Sequence, residues 1–206
     1  MSQIALPFDW PAAESEQDFI VSDSNRLAVR HLDHWSLWPV PVTILSGPRK
    51  SGRSFLGRLF AARSGAELID NAERVDEEAI FHAWNRAQSK RHPLLLIADA
   101  PPPSWAIALP DLASRLAATP QVAIGEPDDA LIAALLERLM AARGLAIGPD
   151  VAAWIAQRIE RSYIAVHRVV DVLDTAAWSR RGKIGIPFVR DTLKAAAVIE
   201  DSSEEG

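Results

Sequence analysis

The feature that most constrains this chain is a glycine-containing loop set between a buried strand and a helix. Val40–Ser46 is apolar and β-branched, which is typical of a strand buried on both faces of a parallel sheet. Gly47–Ser54 (GPRKSGRS) then has the glycine spacing of a Walker A phosphate-binding loop, and a helical pattern follows over Ser54–Arg63. Strand, loop and helix in this order predict an α/β fold with a P-loop.

The chemistry of this loop leaves two interpretations open. Gly47 and Gly52 would let backbone N–H groups wrap a phosphate, and the Ser54 hydroxyl is placed to reach Mg²⁺. Arg53 stands where a lysine is usual, and its planar guanidinium cannot copy a compact ammonium between two phosphates. The alternative is a purely structural strand–turn–helix, stiffened by Pro48.

Two further predicted strands end on carboxylates. Ala66–Ile69 is followed by Asp70, a candidate for holding Mg²⁺ through water, and then by Asn71, which cannot act as a general base. The strand that begins at Pro93 ends on Asp99, where a polar side chain could sense a γ-phosphate. For both aspartates the alternative is an ordinary turn residue at the end of a strand.

The pattern of the chain changes after residue 125. Strands and helices alternate over residues 40–125, within a predicted core of residues 18–125, and the fourth strand lies near Gln121–Ile124. Residues 126–198 carry helical patterns alone. We therefore predict a four-stranded parallel α/β core followed by an all-helical lid. Residues 1–17 are predicted to be an extended leader, and residues 199–206 an acidic, disordered tail.

Composition narrows the functional classes. The 206 residues include no cysteine, which excludes disulfides, thiolate metal sites and cysteine nucleophiles. A net charge of −5 argues against non-specific nucleic-acid binding as the main activity. We find neither a signal peptide nor a stretch suited to crossing a bilayer, so we expect a cytoplasmic protein with no membrane partner.

One arginine outside the loop is of special interest. Arg115 lies on a short predicted helix, Leu109–Ala118. A guanidinium at the edge of a domain can enter a neighbour's active site and stabilise transition-state charge, as arginine fingers do. The sequence pattern alone favours the alternative, a surface arginine on an amphipathic helix.

Four segments in the right order resemble the Hda family of DnaA-related AAA+ proteins, across nearly the whole chain. The first looks like the Hda clamp-binding motif, the second like the segment that lines the adenine pocket, the third like the arginine-finger segment, and the fourth like the end of the lid. They are Gln3–Phe8, Asp18–Ala28, Leu109–Leu116 and Lys183–Arg190.

The resemblance implies a set of nucleotide-binding residues for ADP and Mg²⁺. Asp70 would be the Walker B carboxylate and Asp99 would lie at the end of the sensor 1 strand, with Ser54 and Asp70 as metal ligands. The full set is Val21, Gly47, Gly52, Arg53, Ser54, Asp70 and Asp99.

The resemblance also implies partners and a mechanism. The sliding clamp, the β subunit of DNA polymerase III, would bind the N-terminal motif, and DNA would be reached only indirectly. Arg115 would be offered to ATP held by DnaA, which then hydrolyses its ATP and stops initiating, while the chain itself has weak or no ATPase activity. The residues assigned to the clamp are Gln3, Ile4, Leu6, Pro7 and Phe8.

Two departures from the family pattern affect these expectations. A strand and helix that normally precede Asp70 are missing, so the sheet should lack one edge strand. The sensor 2 arginine aligns with Ile164, which leaves Arg161 or Arg168 to replace it. Two competing functions therefore stay open: a clamp-tethered scaffold without nucleotide, and a helicase-loader-like ATPase.

Overall fold

The computed structural model describes residues 19–177 and 184–199. The whole predicted leader of residues 1–17, which contains the clamp motif, and the acidic tail from residue 200 lie outside the described residues. None of the helices within the described part of the chain has the length and apolar character needed to span a bilayer.

The core is built on four parallel strands in the order β2-β3-β1-β4. This confirms the predicted four-stranded sheet. β1 begins at Val42, two residues later than predicted, because Pro41 has no N–H to donate to a neighbouring strand. The strands are β1 (Val42–Ser46), β2 (Glu67–Ile69), β3 (Leu94–Ala98) and β4 (Gln121–Ala123).

Helices cover the sheet and then continue alone to form the lid. The predicted order, helices alternating with strands and then helices only, is found. The helices are α1 (Arg26–Asp33), α2 (Arg53–Ser64), α3 (Glu77–Lys90), α4 (Pro110–Ala117), α5 (Asp129–Ala142), α6 (Pro149–Ala156), α7 (Tyr163–Ala177) and α8 (Ile186–Ala195).

The alternation of side chains along β3 divides the core into two layers. Leu95 and Ile97 pack on one face of the sheet in a cluster with residues of α1 and α2. Leu94 and Leu96 pack on the other face with residues of α3 and α4. Successive residues of a strand point to opposite faces, so one fully buried strand can supply both layers.

The missing edge strand follows from the short connection between α2 and β2. Gly65, in a left-handed conformation, and Ala66 join the two elements directly, so β2 itself forms one edge of the sheet. β2 pairs with β3 through Ile69 and Leu96, whereas β1 continues two residues further along β3, to Ser46 and Ala98. This difference in register determines which carboxylate meets the loop after β1.

Candidate functional site

The loop after β1 has the backbone of a phosphate-binding loop. Gly47 has φ = 157°, and a Cβ atom there would lie 3.0 Å from the Ile124 Cβ and carbonyl oxygen. Gly52 has φ = 84°, and a Cβ atom there would lie 3.2 Å from the Phe19 ring. Both positions therefore require glycine, as the sequence pattern indicated.

The arginine in the lysine position is bonded inside the loop. The Arg53 guanidinium donates hydrogen bonds to the Gly47 carbonyl and to Asp99 Oδ1, and its side chain is only 8% exposed. Arg49 Nε lies 3.3 Å from the other Asp99 carboxylate oxygen. The register that pairs Ser46 with Ala98 explains the contact, since the next residues, Gly47 and Asp99, then lie side by side.

Asp99 therefore acts as the counter-ion of the loop. The hydrogen bond from Arg53 lowers the pKa of Asp99, against the opposing effect of desolvation, and Arg49 contributes further. The carboxylate is ionised at neutral pH and neutralises the cation expected to attract phosphate. The predicted role of Asp99 as a γ-phosphate sensor does not match this arrangement, because a carboxylate repels phosphate.

The predicted magnesium ligand Asp70 is bonded within its own turn. Asp70 Oδ1 accepts a hydrogen bond from the backbone N–H of Asn71 at 2.9 Å, so it caps its own turn. Asp70 follows Ile69, which pairs with Leu96. Along the direction of the strands, Asp70 therefore lies two residues before Asp99. Within the described residues no group of three histidine or carboxylate side chains could hold a metal ion.

The pocket expected for adenine is small. A cavity of about 160 Å³ lies beside the loop, lined by Phe19, Gly52, Leu135 and Tyr163 among others. Phe19 stacks on Phe55, which also lines the cavity, with ring centroids 6.2 Å apart. The predicted Val21 does not line this cavity: it is 53% exposed and borders a different one, of about 210 Å³.

The volume of the cavity and the contacts of Arg53 and Asp70 can be compared with what ADP and Mg²⁺ would need in this site. Pockets for ligands of this size have volumes of about 300–1,000 Å³, which exceeds the 160 Å³ beside the loop. The Arg53 guanidinium is paired with Asp99, and Asp70 Oδ1 accepts a hydrogen bond within its own turn. In this conformation the small cavity cannot hold a whole nucleotide, and the Arg53 guanidinium is not available to a phosphate.

A larger cleft of about 1160 Å³ lies between the loop and helices α7 and α8. Lys50, Ile164, His167 and Arg168 line it, and burial together with the Lys50 charge lowers the pKa of His167. Of the two suggested replacements for sensor 2, Arg168 lines this cleft and donates to the Ala196 carbonyl at 3.2 Å.

The other suggested replacement for sensor 2 points to a different partner. Arg161 forms two hydrogen bonds with the Asp129 carboxylate, at 2.9 and 3.2 Å. Arg161 is thus bound to α5 of the lid. Sequence analysis did not single out His167, which lines the cleft; its place on α7, three residues after Ile164, was the available signal.

The Arg115 side chain is not fully buried, and its guanidinium contacts other side chains. It lies on α4 and is partly buried. Its guanidinium carbon is 4.6 Å from the ring centroids of both Phe81 and Trp84, and its Nη1 atom donates to Asn85 Oδ1. These three partners on α3 were missed by sequence analysis, although their i, i+3, i+4 spacing places them on one helix face.

The comparisons with known proteins agree with this architecture. Residues 128–193 match the family model of the Hda lid domain. Domain III of the replication initiation protein DnaA from Thermotoga maritima superposes with a TM-score of 0.71 at 12% identity, over 90% of this chain and 96% of that one. Together these matches support an Hda/DnaA-related AAA+ protein.

Other solved structures share the fold of this chain. AMPPCP-bound DnaA from Aquifex aeolicus has a TM-score of 0.63 at 14% identity, over 90% of this chain and 68% of that one. The RuvB Holliday junction branch migration motor of Thermotoga maritima has a TM-score of 0.61 at 16% identity, over 88% of this chain and 72% of that one. The Hda lid and the DnaA-like core support a DnaA-related replication regulator.

Proposed function

We propose that this chain restrains replication initiation by supplying Arg115 in trans to ATP held by DnaA. The observation that carries the proposal is the environment of Arg115: among the described residues its partners are two aromatic rings and a neutral amide, which do not cancel its positive charge. A guanidinium that keeps its charge at the edge of an AAA+ core has the property that an arginine finger needs.

The proposed chemistry takes place on the partner. Phosphoryl transfer builds charge on the oxygens around the transferred phosphate, and an arginine finger stabilises that charge, which is worth about 10³–10⁵ in rate. DnaA would hold its own ATP, and Arg115 would complete its active site. DnaA with hydrolysed nucleotide would then stop initiating.

The sliding clamp would bring the chain to DNA and DnaA. Gln3 supplies a hydrogen-bonding group, and Leu6 and Phe8 supply apolar side chains, within a short segment that can bind a preformed groove in an extended conformation. Such a short contact is expected to have micromolar affinity, about −8 kcal/mol, and a multivalent ring would increase it by avidity. The proposal places the protein in the cytoplasm with DnaA.

The chain itself would hydrolyse little or no ATP. Arg53 is held by Asp99 rather than left to bind a phosphate, and Asn71 follows Asp70 where a hydrolytic enzyme needs a carboxylate to polarise water. These features argue against the helicase-loader-like ATPase. Measurable turnover by the isolated chain would contradict this part of the proposal.

The finger is tested with Arg115→Ala. ATP hydrolysis by DnaA, measured with clamp loaded on DNA, should lose its stimulation, while clamp binding stays unchanged. Arg158→Ala is a matched control, because Arg158 also stacks on a tryptophan, with its guanidinium carbon 4.4 Å from the Trp154 ring centroid, but lies in the lid. Equal stimulation by Arg115→Ala and the unmodified chain would remove the finger.

The tether is tested separately with the double variant Gln3→Ala and Phe8→Ala. Retention on immobilised clamp should be lost, and circular dichroism should show an unchanged fold. Retention that is indifferent to both substitutions would reject the N-terminal motif as the clamp ligand.

The ion pair in the loop favours a form of this function that operates without bound nucleotide. Calorimetry with ADP should then show no heat of binding up to high micromolar nucleotide, and stimulation of DnaA should not depend on added ADP. Tight ADP binding by the isolated chain would contradict this form and favour a loop that opens to release Arg53 from Asp99.

A further inference from the structure

We propose that Phe81, Trp84 and Asn85 are positioning residues for Arg115, which hold its guanidinium in one orientation while leaving its charge uncancelled. This inference rests on the proposed finger function. The three side chains come from one face of α3, and each contacts the guanidinium, the rings at 4.6 Å from its central carbon and Asn85 through a hydrogen bond from Nη1.

Phe81, Trp84 and Asn85 together form the holder of Arg115. Hydrogen bonds link this holder to α4, the helix that carries Arg115. Trp84 Nε1 donates to the Thr119 hydroxyl at 3.3 Å, and that hydroxyl donates to the Arg115 carbonyl at 2.8 Å. Thr119 is buried, so this chain of hydrogen bonds is shielded from water. The ring that supports the guanidinium is therefore anchored to the backbone of the same arginine.

A second link sets the position of α4 against α3. The Glu77 carboxylate accepts hydrogen bonds from the backbone N–H groups of Ala108 and Leu109, at 2.8 and 2.7 Å. Leu109 is the residue before the first turn of α4, so Glu77 fixes the start of the helix that carries Arg115. Both the helix and the side chain are thus located by α3.

The chemical character of the holder distinguishes it from a structural ion pair. Within the described residues, the partners of the Arg115 guanidinium are Phe81, Trp84 and Asn85, and none of them is charged. A guanidinium has five N–H donors, and Asn85 uses one edge of it. Arg53 shows the contrasting arrangement, since a carboxylate cancels its charge inside the fold.

Such a holder would raise the effect of the finger on catalysis. A free arginine side chain loses rotamer freedom when it is fixed beside a phosphate, and a preorganised one loses less. The benefit appears in the rate at saturation, because it concerns the orientation of the reacting groups and not the docking of the two proteins.

Asn85→Asp is the decisive variant because it changes charge with almost no change in shape. The new carboxylate should pair with Arg115 and leave the thermal stability unchanged or higher. At saturating protein, stimulation of DnaA ATP hydrolysis should fall by about tenfold or more, as when a preorganised charge stabiliser is lost. The concentration for half-maximal stimulation should not change.

Ser89→Asp is the matched control, since it adds the same charge to the exposed end of α3, and it should keep full stimulation. Trp84→Leu gives an independent test: stimulation should fall about three- to tenfold as the arginine loses its support, and Trp84→Phe should restore most of it. If Trp84 has only a structural role, Trp84→Leu and Trp84→Phe variants of equal stability should stimulate DnaA equally.

The outcomes separate this inference from the finger itself. If Arg115→Ala keeps full stimulation, the finger and its holder are both rejected. If Arg115→Ala abolishes stimulation while Asn85→Asp and Trp84→Leu keep it, the finger stands and the holder is rejected. Loss in all three, with the control unaffected, supports both.

Discussion

At the scale of single residues, the same side chain has opposite roles at two places. Arg53 is buried, and its charge is cancelled by Asp99. Arg115 is partly buried against aromatic faces and an amide, which remove it from water without cancelling its charge. The partner, and not the arginine, thus decides whether a guanidinium stabilises the fold or stays available to a ligand.

Asp99→Asn should lower the free energy of unfolding by about 2 kcal/mol, because the buried Arg53 would lose a charged hydrogen-bond partner. Urea unfolding at pH 7 measures this. Asp33→Asn is the matched control: the Asp33 carboxylate has the same 40% exposure as that of Asp99, but its partner Arg63 is 45% exposed rather than 8%. Asp33→Asn should lower the free energy of unfolding by less than about 1 kcal/mol. Equal losses would show that the Asp99 pair behaves as a surface pair.

The same variant should change the response to acid. Hydrogen bonding by Arg53 lowers the pKa of Asp99 in the folded state, so its contribution to stability is present above the usual aspartate pKa of about 4 and is lost as pH falls through the folded value. The difference in unfolding free energy between the unmodified chain and Asp99→Asn should therefore be constant from pH 5 to 8 and shrink below pH 4. A difference that grows as the pH falls would contradict the ion pair.

At the scale of elements, the close approach of α2 to the sheet explains a glycine inside a helix. A Cβ atom at Gly57 would overlap the Cδ1 atom of Ile97 and lie 3.2 Å from Leu68 Cδ1. Both neighbours belong to the layer beneath α2, and Ile97 is fully buried. Glycine at this position lowers the intrinsic stability of α2, but it allows the helix to pack closely on the sheet.

Gly57→Ala should therefore destabilise the fold by about 1–2 kcal/mol, although alanine is the better helix former, because the packed layer must move. Ala62→Gly, at an exposed position of the same helix, should cost about 1 kcal/mol through helix propensity alone. Urea unfolding of both variants tests the pair. A stabilising Gly57→Ala would show that the layer can relax at little cost.

At the scale of the whole molecule, one tyrosine joins the lid to the core. Tyr163 begins α7 of the lid, but its side chain is buried among residues of the core layer that contains Leu32 and Leu131. Its hydroxyl donates to the Gly125 carbonyl at 3.2 Å and lies 3.2 Å from Ser24 Oγ. Tyr163 of the lid thus stabilises the junction between the α/β core and the helical lid.

Burial raises the pKa of Tyr163, and the chain has no other tyrosine, so phenolate absorbance reports this residue alone. The folded chain should ionise above the usual pKa of about 10, and stability should fall as pH rises past that value, because the unfolded state releases its proton first. Unfolding in urea should restore the usual titration. A normal titration in the folded chain would contradict the buried junction.

Tyr163→Phe is the complementary variant. It removes the hydroxyl and should lower the unfolding free energy by about 1 kcal/mol. Limited proteolysis around residue 125 should become faster, since the lid loses its hydrogen bond to the core. Proteolysis at an unchanged rate would place the stability of the junction in the ring and not in the hydroxyl.

The elements and their order could be predicted from local patterns in the sequence. The apolar run before Gly47, the glycine spacing of the loop and the helix that follows are local signals, and each is confirmed in β1, its loop and α2. The lack of an edge strand was also readable, because too few residues separate α2 from β2 to form another strand and helix. Local propensity and spacing act over a few residues, and a sequence displays them directly.

The contacts of the side chains in the site, in contrast, could be found only from the folded chain. Arg53 meets Asp99, 46 residues later, because the register of β1 on β3 aligns Ser46 with Ala98. Arg115 meets Asn85, 30 residues earlier, because α3 and α4 pack on the same face of the sheet. Such contacts depend on register and packing over the whole chain, and no local pattern specifies them.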